Sequence, residues 1–283
     1  MTQTDAVPRP PWQPFTFGGV AAFARATIVR TLSVAVAVAM AVALLVFAAF
    51  DLGWIPTLDA AVEQLPDTGE VRGGRLQWSA ETPRVLASSS LLQVVVDVKG
   101  EGAFGNEADV RVELRRADLR LCGALGCWSC PWPDGWIIAL NRPELVPLWG
   151  AWRPFVLWSV FLGTLVFLLT SWALVASLGA LPLRLVAFYL DRDVTLAGCW
   201  RVCFAALLPG ALFLGTAIFC YGLRRLSVFE LAIYFAGHFL IGLAYAAGAC
   251  WRLPRVGDAG AAKAANPFVT PAEPVDGSHK PKA

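Results

Sequence analysis

The stretch "LCGALGCWSCPWPDGW", Leu121 to Trp136, holds the chain's densest cluster of reactive side chains, Cys122, Cys127 and Cys130. Two chemistries compete for them. Cys127 and Cys130 have the CxxC spacing of thiol oxidoreductases, whose reactivity comes from a helix amino terminus that lowers one thiol pKa. Here "PWPDGW" follows the pair, and its two prolines and glycine forbid a regular helix directly behind it. A structural bridge from Cys122 to either Cys127 or Cys130 is therefore the expectation, provided that the compartment is oxidising. No metal is expected at the cluster: three cysteines lack a fourth ligand, and the two histidines, His238 and His279, lie far along the chain.

A second constellation is Glu230, Tyr234 and His238, which recur every fourth residue and so share one helix stripe about 12 Å long. Ionisable groups inside a membrane are costly, and such a stripe could line a proton or ligand pathway. The simpler expectation is that Glu230 reaches water or Arg224 or Arg225, while His238 hydrogen-bonds a neighbouring helix. Cys220 has no evident partner, and Cys199 and Cys203, one turn apart, read as packing residues. No Gly-rich phosphate loop, Ser-His-Asp set or HExxH motif occurs. No catalytic residue and no cofactor are predicted.

These residues must be positioned by a chain that is 57% hydrophobic and only 16% charged, with a mean hydropathy of +0.59. That composition points to a polytopic membrane protein whose first partner is the lipid bilayer. A net charge of +2 gives no footprint for nucleic acid. Four apolar runs are long enough to cross about 30 Å of hydrocarbon, at residues 27–50, 154–181, 200–223 and 228–251. Pro209 and Gly210 should kink the third unless neighbours satisfy the freed carbonyl. Arginines cluster before the first span, between the second and third, and after the fourth, so the positive-inside rule places both termini in the cytoplasm. Arg224 and Arg225 oppose that orientation without overturning it.

Residues 51–153 then form an extracytoplasmic domain, and residues 182–199 a cytoplasmic link. The domain reads as β-rich, from "GRLQW", "LLQVVVDV", "DVRVELRRADLRLC" and "GWIIALN". The alternation switches parity at Arg115-Arg116, which requires a bulge or a turn. Arg111, Glu113, Arg115 and Arg120 fall on a polar face, expected to be solvated or to bind an anion. "NRPELVPLWGAWRPF" reads as a stiff connector, with Trp149, Trp152 and Trp158 at the headgroup level and Trp54 matching them. Residues 1–26, a cytoplasmic tail, and 252–283 lack periodicity and are expected to be wholly or partly disordered. The fold class is thus membrane α+β: four transmembrane helices with a small β-rich extracytoplasmic domain between the first and second.

The order of one helix, "LPDTGEVRGGRLQW", "ETPRVLASSSLLQVVVDVKG", "ADVRVELRRADLRL" and three more helices resembles a family of uncharacterised bacterial polytopic membrane proteins, some labelled maltodextrin-utilisation proteins. The resemblance implies a bacterial inner-membrane protein without established enzymatic activity, and it supplies no site residues. The function expected is non-enzymatic: the outer domain binds an envelope protein or polymer partner. The alternatives are a thiol–disulfide oxidoreductase using Cys127 and Cys130, and a small proton-coupled transporter using the polar residues of the fourth span. The oligomeric state is left open.

Overall fold

A computed structural model describes residues 13–102 and 108–256. Most of its helices begin where the sequence offers a capping side chain. Thr16 opens α1 (Phe17–Ala22), which continues into a 3-10 turn, Phe23–Arg25. Thr27 opens α2 (Ile28–Gly53), and a short α3 (Ile55–Glu63) follows with Pro56 in its first turn. Asn141 accepts from the Glu144 N–H at 3.0 Å to open α4 (Arg142–Tyr189), and Thr195 does the same for α5 (Leu196–Gly222). Ser227 and Glu230 form a reciprocal capping box at the start of α6 (Val228–Arg252). Four helical segments, α2 continuing into α3, α4, α5 and α6, are long and apolar enough to cross a membrane, which fits a multi-pass membrane protein.

Helix α5 is the hub, packed against α2, α4 and α6. It is also the most buried of the four, because its side chains are small or aliphatic along several faces, with Val202, Ala205 and Leu208 fully enclosed. Pro209 sits inside α5 without ending it. Gly210 beside it admits the backbone of α6, since a Cβ there would lie 2.5 Å from the His238 carbonyl oxygen.

The helix bounds depart from the expected bounds at three places. The segment before the first span is ordered from residue 13: Val20 and Phe23 are fully buried, Phe17 stacks edge-on against Tyr245 at 5.2 Å, and the Tyr245 hydroxyl donates to the Phe15 carbonyl. Residues 1–12 of that predicted tail, and 257–283 of the other, lie outside the described residues. The connector expected before the second span is the first part of α4, which runs for 48 residues through Pro147, Pro154 and Pro182. The link predicted at residues 182–199 is mostly helix, so only residues 190–195 join α4 to α5.

Between α3 and α4 lie two sheets. Strands β1 (Gly69–Arg72), β2 (Arg75–Trp78) and β8 (Ile137–Ala139) make a three-stranded sheet of order β2-β1-β8. Strands β3 (Arg84–Ser88), β4 (Leu92–Asp97), β5 (Val110–Arg115), β6 (Asp118–Gly123) and β7 (Gly126–Pro131) make a five-stranded sheet in sequence order. The parity switch resolves as the turn Arg116-Ala117 between β5 and β6. Strands β4 and β5 are parallel, with Leu92, Val94 and Val96 opposite Val110, Val112 and Leu114 on one face. That face meets α3 and the small sheet in a core with Ala61, Leu65, Val71 and Leu76. The Leu76 N–H of β2 ties the sheets together by donating to the Arg116 carbonyl, in the turn after β5, at 2.8 Å.

Candidate functional site at the junction of sheet and bundle

The starts of the two parallel strands are seated on the ends of α2 and α5. Leu91, 1% exposed, rests against Gly53, where a Cβ would fall 2.8 Å from its Cδ1 and 2.7 Å from the Gly222 carbonyl oxygen. Gly222 in turn lies so close to Ala49 of α2 that any side chain would collide. One residue before β5, Asp109 accepts a hydrogen bond from the Tyr221 hydroxyl at 2.8 Å, while its N–H goes to Ser90. Thr57 of α3 donates to Ser89 at 3.0 Å. Hydrophobic contact, a hydrogen bond to a carboxylate and a hydroxyl pair therefore fix the domain to α2, α3 and α5 together.

Beside this joint lies a cavity of about 290 Å³ lined by Asp109, Arg111, Cys122, Gly123, Cys127 and Val228, among others. The disulfide forms part of its wall. Cys122 and Cys127 stand directly opposite each other across the β6–β7 hairpin and are bridged. Cys130 is a free thiol. Strand geometry sets the CxxC pair apart: three residues of extended chain put Cys127 and Cys130 on opposite faces and about 10 Å apart. Cys220 is also free.

The polar face of the large sheet differs from a solvated surface. Glu113 is buried at 6% exposure, its carboxylate meeting Arg111 Nε at 2.7 Å and Arg120 at 3.7 Å. Burying that carboxylate is tolerable because two guanidinium groups accompany it. Asp97, equally buried, accepts from the backbone N–H groups of Gly100, Glu101 and Gly102, so the start of the β4–β5 crossover folds over this face.

A second ionic group braces the joint. Arg153 of α4 lies 3.1 Å from Asp51 at the end of α2 and 3.3 Å from Asp59 of α3, and the Trp149 indole donates to Asp59 at 2.7 Å. The sequence singles out Trp149, but the two carboxylates that it and Arg153 bridge lie about ninety to a hundred positions earlier, and no local pattern links them.

The stripe on α6 is spent locally. Glu230 accepts from the Ser227 N–H at 2.7 Å and from its hydroxyl, not from Arg224 or Arg225. Tyr234 packs against Phe213 with the rings tilted and their centroids 5.2 Å apart. The His238 ring bonds the Phe235 carbonyl of its own helix and packs on Phe239 at 3.9 Å. Among the described residues, no group of three or more His, Cys, Asp or Glu side chains could hold a metal ion.

Away from the joint, a cleft of about 530 Å³ opens between β1, β2 and the start of α4, lined by Asp67, Glu70, Gln77, Trp78, Asn141 and Glu144, among others. At the opposite end of the bundle, arginines close the fold by donating to backbone carbonyls: Arg184 to Val194, Arg192 to Leu253 at 2.7 Å, and Arg201 to Ala24 at 2.8 Å.

The fold and joint define a class: a helical bundle of membrane-spanning length carrying a two-sheet domain on one end. Beyond that class no likeness was found, since no family model, no curated protein and no solved structure matches the chain.

Proposed function

We propose that this chain is a non-enzymatic protein of the bacterial inner membrane that displays its two-sheet domain outside the cytoplasm, where the domain binds an envelope polymer or partner protein. The observation that carries the reading is the joint itself. Leu91 against Gly53 couples the domain to α2, and Tyr221 on Asp109 couples it to α5, the helix that every other span touches. A domain bound loosely, as a mere passenger, would need no such attachment. The arginine-rich end of the bundle lies away from the sheets, which supports a cytoplasmic location for that end.

The cleft beside Trp78 is the recess best suited to a binding partner, since one indole stands among hydroxyl, amide and carboxylate groups that can each orient a polar ligand. The experiment is purification of the full chain from cross-linked native membranes beside Asp67→Arg and Gln77→Arg variants, both at exposed positions of the cleft. One envelope species should accompany the wild type in near-stoichiometric amount and be lost from both variants at unchanged melting temperature. A chain that purifies alone, or whose companion is indifferent to the cleft, overturns the proposal.

A further inference from the structure

We infer that the β6–β7 hairpin is a stapled wedge that rests in the headgroup layer of the lipid surface at the domain end of the bundle. The inference rests on the reading that the four apolar helices cross a membrane.

The level of the hairpin follows from register. Gly123 and Gly126, which close the hairpin, pair with each other, and Gly123 pairs with Val110. Val110 is the neighbour of Asp109, whose carboxylate holds Tyr221 in the last turn of α5. The tip, Ala124-Leu125, projects one residue beyond that level. Ala124 and Cys127 share a cavity wall with Val228, the first residue of α6. At 27 residues, α5 is about 40 Å long, close to the thickness of a bilayer with its headgroups, so its ends lie in the polar layers.

The composition of the hairpin suits that layer and suits water poorly. From Leu121 to Pro133 the chain carries no charged side chain, although β7 is the open edge of the sheet. Edge strands in water are usually protected by charge or proline, and β7 has only Pro131, at the end away from the tip. Leu125 at the tip is fully exposed, and Trp128, three residues on, is 64% exposed. Three residues of strand span about 10 Å, so Leu125 would reach the acyl boundary while the Trp128 indole sits near the outer headgroups, an arrangement that indole favours. Beyond Val228, which lines the same cavity as Ala124 and Cys127, α6 exposes Phe229 and Ile233. Arg224 and Arg225, exposed in the turn between α5 and α6, offer anionic headgroups a counter-charge at the same level. The Cys122–Cys127 bridge holds the hairpin closed, which a wedge requires.

The test places a benzophenone amino acid at position 125, 128, 243 or 116 of the full chain in nanodiscs of phosphatidylethanolamine and phosphatidylglycerol. After irradiation, adducts are read by mass spectrometry. Leu125 is fully exposed, so its replacement leaves the fold intact. Leu243, exposed on α6, is the positive control for the membrane-spanning reading, and Arg116, at the opposite end of the sheet, is the aqueous control. Lipid adducts at 125 should come within about threefold of those at 243 and exceed those at 116 by about tenfold or more, as expected of an interfacial element. Lipid at 243 with none at 125 and 128 overturns the wedge alone. Adducts of 125 to protein, including a second copy, also overturn it. Absence of lipid at 243 overturns the membrane-spanning reading beneath it.

Discussion

Replacing Gly222 with alanine tests whether the close approach of α2 and α5 sets the joint. An added Cβ would stand 2.6 Å from both Cα and Cβ of Ala49 and 2.7 Å from its carbonyl oxygen. Ordinary carbon contacts are about 3.5–4.0 Å, so the helices must part by about 1 Å. No side-chain torsion can absorb this, because every colliding atom is backbone or a Cβ. Overpacking of that kind costs about 1–3 kcal/mol, and the gain in helix propensity from glycine to alanine, up to about 1 kcal/mol, is smaller at a terminal residue. The net loss of about 1–2 kcal/mol should lower the melting temperature by about 2–8 °C, at roughly 2–4 °C per kcal/mol. A Cβ added at Gly163 in α4 would meet no atom within 4 Å, so Gly163→Ala should leave the melting temperature unchanged or raise it. Tryptophan fluorescence during heating in mild detergent reads both. Equal melting of the two variants, or a more stable Gly222→Ala, would refute the claim that this crossing is filled.

The remaining predictions concern the brace and the thiols. Arg153→Met removes two ion pairs whose members are each about a third or more exposed, so the loss should be no more than about 1 kcal/mol and should shrink at about 1 M salt. A much larger loss, unaffected by salt, would mean that Arg153 holds the joint through packing instead. In native membranes, alkylation should reach Cys130 before reduction and Cys122 and Cys127 only after it. Peptide mapping that finds Cys127 joined to Cys130 would refute the assigned pairing and revive the oxidoreductase alternative.

How far the sequence carries depends on whether an interaction is local. The four spans, the strands around Val94, Val112 and Leu121, and the turn near Arg116 are written in hydrophobic runs and periodicities, and all have counterparts in the structure. The Cys122 bridge was legible as a staple, but its partner was left open between Cys127 and Cys130, because only the hairpin register selects Cys127. The helix before the first span escaped notice because Pro8, Pro10, Pro11 and Pro14 mask a Thr16 cap, and its burial depends on Tyr245 and Gly248 more than two hundred residues away. Glu113 looked solvated because alternation separates faces without saying which of them another segment will cover. The joint is the clearest case: Gly53, Leu91, Asp109 and Tyr221 carry no shared motif and meet only through topology.

That joint also constrains how the domain could act on the bundle. Along α5, Gly222 meets Ala49 of α2, Gly215 faces Val42 of α2, Gly210 meets the α6 backbone at His238, and Gly198 approaches the carbonyl oxygen of Ala24. Cys203 lies against Gly179 of α4. Close contact at every level blocks sliding of α5 by a full turn past its neighbours, because each small residue would be replaced opposite its partner by a larger one. A push on Asp109 and Tyr221 must therefore tilt α5 as a unit. Over about 40 Å of helix, a tilt of a few degrees displaces the far end by an ångström or two. Arg201 rides on that end and donates to the Ala24 carbonyl, so the turn Phe23–Arg25, with Phe23 and Ala24 buried, is where occupancy of the domain would first be felt at the far end of the bundle.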